Sequence, residues 1–183
     1  TYSRRNRDNL MRTRVLNPVA TVNKRKEASM LLLTVAVTNF RSLGPKIKNA
    51  KIDFLERGLD LLICSETWHK EENKLLKANI EKLFEEDGLK FISCPRPSNK
   101  RGGGCAVIVN LKKFSVEKLP IIVPFKLEVV WTLLRPKQVT KTTTFKEVCV
   151  VSFYSPPNYR KNAKLIQHII SEMHQILVKY PKA

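Results

Sequence analysis

The sequence predicts an α/β fold with mixed sheets, and three observations carry that expectation. Two nearly continuous apolar runs, MLLLTVAVTN (Met30–Asn39) and LDLLICSE (Leu59–Glu66), flank a segment of helical period. The stretch 89–154 then reads as strand after strand with short connections. YRKNAKLIQHIISEMHQILVKY (Tyr159–Tyr180) follows as a long amphipathic helix.

Taken in order, residues 1–29 are polar and carry RRNR (Arg4–Arg7) and KRK (Lys24–Lys26). Eight basic against two acidic residues give this segment a charge of +6 with little periodicity, the pattern of a flexible basic arm. Short basic clusters of this kind serve nuclear import in some proteins and are common elsewhere. The folded domain is expected over 30–183. Its first run, Met30–Asn39, is apolar throughout and ends in polar residues, as a strand buried on both faces would. FRSLGPK follows as a turn, and Pro45 suits the first turn of a helix. Within 46–57, Ile47, Ala50, Phe54 and Leu55 fall on one helical face. Leu59–Glu66 repeats the buried-strand pattern, so strand, helix and strand make a β-α-β unit.

Residues 70–86 predict a charged helix with an apolar stripe at Leu76, Ile80, Leu83 and Phe84. After Gly88 come LKFISC, GCAVIVN, FSVEKL, LEVVWTLLR and FKEVCVVSFY. A threonine-rich, basic hairpin (Pro136–Thr144) joins the last two. In the final helix Leu165, Ile166, Ile169, Ile170, Met173, Ile176 and Leu177 form a stripe expected to be core. A middle without helices fits a doubly wound sheet poorly.

The bulk numbers bound the function. A chain of 183 residues is enough for one domain with a sizeable core, and 43% apolar residues argue against global disorder. Lys and Arg number 34 against 16 Asp and Glu, a net charge of +18 that favours a polyanionic partner. Nucleic acid comes first and an anionic membrane surface second. Cys64, Cys94, Cys105 and Cys149 have no CxxC spacing and lie in or beside apolar runs, so free buried thiols in a reducing compartment are expected. His168 and His174 stand six apart on a predicted helix and make a poor ligand pair. No apolar stretch reaches the roughly 18–20 residues of a membrane helix. The expected location is nuclear or cytoplasmic, and the chain reads as a piece of something longer.

RGGGCAVIV (Arg101–Val109) does not make a phosphate loop, because its glycines lead into a strand where a P-loop leads into a helix. A tight turn or bulge at a strand start is the better reading. Asn39 and Glu66 close the two strands of the β-α-β unit, whose ends share one edge of the sheet, where ligands tend to bind. Tyr154 and Asn158, in SFYSPPNY, close the last predicted strand. Singly, each is an ordinary strand-end polar group. Together, an amide, a carboxylate and a phenol suit metal-assisted phosphoryl chemistry. Glu66 would hold a hard cation such as Mg²⁺ while the amide and phenol donate to a phosphate.

In order and spacing, VTNFRSLGPK, LDLLICSETWH, RGGGCAVIV and VVSFYSPPN followed by a helix resemble the endonuclease/exonuclease/phosphatase superfamily. The nearest likeness is the apurinic-endonuclease-like domain of non-LTR (LINE-type) retrotransposons, over roughly 31–183. The resemblance implies a four-layered α/β sandwich and Mg²⁺-dependent nicking of DNA, coupled in the intact element to reverse transcription. By motif, Glu66 matches the metal-binding glutamate, Asn39 the active-site asparagine and Tyr154 the tyrosine at the scissile phosphate. Arg41 and Asn158 fall where nucleic acid would lie. Arg41 stands where some repair enzymes of the fold carry an aspartate, which speaks against repair-type abasic specificity.

The family's later motifs, a strand ending GDFN and a terminal SDH, occur nowhere in the 183 residues. The resemblance therefore implies a C-terminally truncated sandwich, inactive as it stands. The missing half-domain and the reverse transcriptase would lie elsewhere in the parent polyprotein. A second reading is a non-catalytic basic nucleic-acid-binding module. A third is a phosphatase for a phospholipid head group or small phosphate ester, against which the +18 charge counts.

Overall fold

The computed structural model describes residues 14–15, 33–96, 101–139, 145–157 and 159–181. Two apolar runs become strands β2 (Val35–Asn39) and β3 (Leu61–Ser65), paired in parallel, with β1 (Arg14–Val15) antiparallel on the outer side of β2. Between them Pro45 opens a 3-10 turn, Gly44–Lys46, that runs straight into α1 (Ile47–Glu56). Ala50 and Phe54 face the sheet from α1, whereas Leu55 is exposed.

Helix α2 (Lys74–Glu85) starts later than its periodic pattern, which begins at residue 70. Asn73 sets the boundary: its side-chain oxygen accepts the Leu76 amide at 3.1 Å, a side-chain cap that satisfies a first-turn donor. Lys70 forms a bridge with Arg96 instead. Strands β4 (Leu89–Cys94) and β5 (Cys105–Asn110) pair antiparallel, and β5 also pairs antiparallel with β3. The first sheet therefore runs β1-β2-β3-β5-β4. The second contains β6 (Phe114–Lys118), β7 (Glu128–Pro136) and β8 (Val148–Tyr154), all antiparallel in that order. Helix α3 (Tyr159–Lys179) follows.

Three apolar cores separate four layers. Phe54, Ile80, Phe84 and Phe91 fill the space between α1, α2 and the first sheet. Leu61, Val107, Phe114 and Val130 fill the space between the two sheets. Trp131, Leu133, Leu165 and Ile176 join the second sheet to α3. The architecture is a four-layered α/β sandwich.

Two expectations are corrected. Strand β2 is not buried on both faces: Val37 is 47% exposed, because the second sheet makes its main contacts with β3, β4 and β5. The stripe on α3 is only half core. Leu165 and Ile176 are buried, but Ile166, Ile170, Met173 and Leu177 are exposed, Ile170 by 63%. A helix laid on one three-stranded sheet buries only the side that faces it, and the outer half of a wide stripe meets solvent.

That division has a measurable consequence. Leu165→Ala should cost about 2–5 kcal/mol of stability in urea unfolding, as a buried truncation does. Ile170→Ala should cost no more than about 0.5 kcal/mol. Equal losses at the two positions would mean that the outer half of the stripe is covered.

Candidate functional site

Because β2 and β3 are parallel, Asn39 lies beside Ser65 and both strands end at the same edge. The chain beyond them stays zipped. Phe40 donates its amide to Ser65 O at 3.0 Å, Ser42 to Glu66 O at 2.9 Å and Leu43 to Thr67 O at 3.0 Å. On the other flank Thr67 donates to Gly104 O at 3.2 Å and Trp68 to Gly103 O at 2.9 Å. Residues 66–68 are thus gripped from both sides, and the grip holds unusual backbone: φ is 51° at Glu66 and 56° at Trp68. Arg41 and Ser42 are also left-handed, at 45° and 88°. Such conformations cost non-glycine residues of order 1–3 kcal/mol each and persist only where neighbours enforce them.

The glycines before β5 make the close approach feasible. Gly103 and Gly104 have φ of 74° and 79°. A Cβ at Gly103 would run into the Glu128 carboxylate, and one at Gly104 into the Thr67 hydroxyl. These are turn glycines at a strand start, as the sequence suggested.

The second sheet reaches this edge through β8. Ser152 donates its hydroxyl to Cys64 O at 3.0 Å, pinning β8 to β3, and Tyr154 ends β8 opposite Glu128 of β7. Burial raises the Tyr154 phenol above its ordinary range. The negative charge of Glu66 raises it further, and Arg96 opposes both. The charge of Glu66, just past the end of β3, thus reaches the Tyr154 phenol, and Asn39 ends the strand beside β3. Asn39 accepts the Arg41 amide on its side-chain oxygen at 3.2 Å, which leaves the amide nitrogen able to donate. Arg41 is exposed at this rim. Asn158 lies outside the described residues.

Four further residues complete the site, none of them singled out from the sequence. Glu128 is a buried carboxylate that accepts the Gly104 amide and stands 3.5 Å from Arg96 Nε. Arg96 lies 5.9 Å over the Tyr154 ring and donates to Arg101 O at 2.9 Å. The Arg101 guanidinium stands 4.6 Å over the Trp68 ring. One signal was available: a carboxylate heading the apolar run EVVWTLL is the same anomaly as Glu66 closing LDLLICS. A separate cleft of about 380 Å³ lies between residues 119–122 and the C-terminal half of α3, and none of these residues lines it.

The layers and this strand-end site together define the fold of endonuclease/exonuclease/phosphatase-type domains. Among solved structures, the chain is similar to the endonuclease domain of TRAS1, a telomere-specific non-LTR retrotransposon. There the TM-score is 0.50 at 16% identity over 75% of this chain and 52% of that one. It is also similar to the human Nocturnin catalytic domain with bound sulfate anion, with a TM-score of 0.52 at 13% identity over 73% and 51%. The chain thus spans about half the length of either structure. No protein-family model and no curated protein sequence matches it. No helix among the described residues is long and apolar enough to cross a membrane.

The influence of the Glu66 charge on Tyr154 can be read in solution. In a spectrophotometric titration, with Tyr154→Phe identifying the contribution, Tyr154 should ionise above the ordinary tyrosine range. Glu66→Gln should lower that midpoint without restoring it fully, since burial is the larger cause. A midpoint unmoved by Glu66→Gln would mean that the Glu66 charge does not act on Tyr154.

Proposed function

We propose that the chain is the N-terminal portion of a Mg²⁺-dependent DNA endonuclease domain of the retrotransposon type. We propose also that it does not hydrolyse phosphodiesters by itself. The observation that carries this is the gathering of strand ends: Asn39 ends β2 beside the end of β3, Glu66 follows β3, and the Ser152–Cys64 hydrogen bond pins β8, which ends at Tyr154, to β3. Glu66 would hold the cation jointly with phosphate oxygens, an arrangement Mg²⁺ accepts with one or two carboxylates. A cation held there supplies positive charge to the phosphate as its own charge develops. Tyr154 stays protonated at neutral pH and donates to a phosphate oxygen. The amide nitrogen of Asn39 donates from the next strand, and Arg41 and Asn158 would steer the nucleic-acid backbone.

The same neighbourhood supports inactivity. Among the described residues no three His, Cys, Asp or Glu gather where a metal could be held. Glu128, the nearest other carboxylate, is engaged by the Gly104 amide and Arg96. A base for the attacking water would have to come from a partner, the half-domain that completes the sandwich. The outer stripe of α3 and β8, the outer strand of its sheet among the described residues, are the surfaces that half would cover. In a parent polyprotein a reverse transcriptase would follow.

A second reading, a non-catalytic basic module for nucleic acid, draws on Arg101 over Trp68 and Arg96 over Tyr154. Guanidinium–aromatic pairs at a rim offer stacking surfaces and charge to single strands without sequence preference.

Purified protein and Glu66→Ala should be incubated with supercoiled plasmid in Mg²⁺ and in EDTA, beside filter binding at two salt concentrations. The expected result is no nicking, with DNA retained and binding falling by orders of magnitude from about 50 to 200 mM salt. Mg²⁺-dependent nicking that disappears in Glu66→Ala would overturn inactivity and support the parent chemistry. Nicking that survives the substitution would remove Glu66 from the reaction.

A further inference from the structure

Two of the four cysteines occupy one register position. Cys94 ends β4 directly opposite Cys105, the first residue of β5. Cα atoms of opposed residues in an antiparallel pair lie about 4.5 or 5.5 Å apart, according to pair type, and both values fall within the span a disulfide bridges. Both side chains point into the space between the sheets. Cys105 is fully buried, and its thiol is within reach of Glu128 O at 3.4 Å and Ser152 O at 3.3 Å. Cys94 is only partly buried.

We propose that Cys94 and Cys105 form a dithiol site that reacts with low-molecular-weight disulfides of the glutathione type and closes to an internal disulfide. Cys94 is the attacking thiol. The neighbouring Cys105 thiol lowers it most, with help from the Val129 backbone and Lys118 against its partial burial. More of it is therefore thiolate near neutral pH than of an ordinary cysteine. The Cys94 thiolate attacks one sulfur of the reagent, forming a mixed disulfide and expelling one glutathione thiolate. Cys105 then gives up its proton and attacks the Cys94 sulfur, forming the internal bond and expelling the second glutathione. Two protein thiols are oxidised and one glutathione disulfide is reduced to two glutathiones, which carry away the electrons and protons. Cys64 is deeply buried with its thiol pushed up, and burial likewise raises Cys149, so neither competes as nucleophile.

The bond would tie β4 to β5 at the end from which Arg96 and the Gly103–Gly104 turn emerge, and it rests on strand register alone, independently of the proposed nuclease ancestry. The test treats the folded protein with glutathione disulfide near neutral pH, alkylates it, and maps the peptides by mass spectrometry. The expected product has lost two hydrogens and carries a Cys94–Cys105 cross-link, with Cys64 alkylated only after unfolding and Cys149 outside any cross-link. Cys105→Ser should stop at a stable glutathione adduct on Cys94. The same treatment in urea should scatter the pairing among all four cysteines, so native selectivity is readable even if Cys105→Ser fails to fold. A glutathione adduct persisting on wild-type Cys94, free thiols at both positions, or equal pairing with and without urea would overturn the proposal.

Discussion

One buried carboxylate ties the candidate site together. Glu128 comes from the second sheet, while the Gly104 amide and Arg96, which satisfy it, come from the edge of the first. A carboxylate left alone in that space would cost several kcal/mol, so the two sheets meet there in one arrangement or not at all. The rest follows outward. Arg96, held by Glu128, is placed over Tyr154, and the charge of Glu66 reaches the same phenol. Ser152 bonded to Cys64 O fixes β8 from a second point, so the phenol cannot slide along its strand independently of β3.

The same constraint explains why a buried strand finishes on Glu66. Residues 66–68 are stitched to the loop after β2 on one side and to the glycine turn on the other. Those backbone bonds turn the chain into a left-handed conformation at Glu66 and again at Trp68. A regular extension of β3 would alternate these side chains across the sheet. The turned backbone instead leaves Glu66 at the strand ends, where its charge reaches Tyr154, and leaves Trp68 beneath Arg101. The glycines are required because the carboxylate and the Thr67 hydroxyl already occupy the positions their side chains would need.

Much of the fold was legible because it depends on local pattern. The β-α-β unit, the helical face of Ala50 and Phe54, and the strand series from Leu89 to Tyr154 are periodicities that a single segment displays. The placement of Asn39, Glu66 and Tyr154 at strand ends was legible for the same reason. What was not legible depends on pairing between distant segments. Nothing local to EVVWTLL tells that Glu128 meets an amide twenty-four residues earlier. The opposition of Cys94 and Cys105 is a fact of register, and the spacing of the two in the chain does not reveal it. The α3 stripe misled in the opposite way. Amphipathicity says which side of a helix prefers burial, but the number of strands beneath it decides how much of that side is covered.

The uncovered surface and the charge are best understood together. β8, the outer strand of its sheet among the described residues, and a row of exposed Ile166, Ile170, Met173 and Leu177 would ordinarily invite copies of the chain to pair edge to edge. A net charge of +18 opposes that encounter, since like-charged molecules repel before their apolar faces touch. Repulsion of this kind is screened by salt over about 10 Å at 0.1 M, and a bound polyanion cancels it altogether. Nucleic acid, if it binds as proposed, would act on both features at once, drawn to the basic rim and removing the charge that keeps the apolar stripe solitary. A complementary half-domain seated on α3 and β8 would break that link by covering the stripe, leaving the basic surface to bind without bringing copies together.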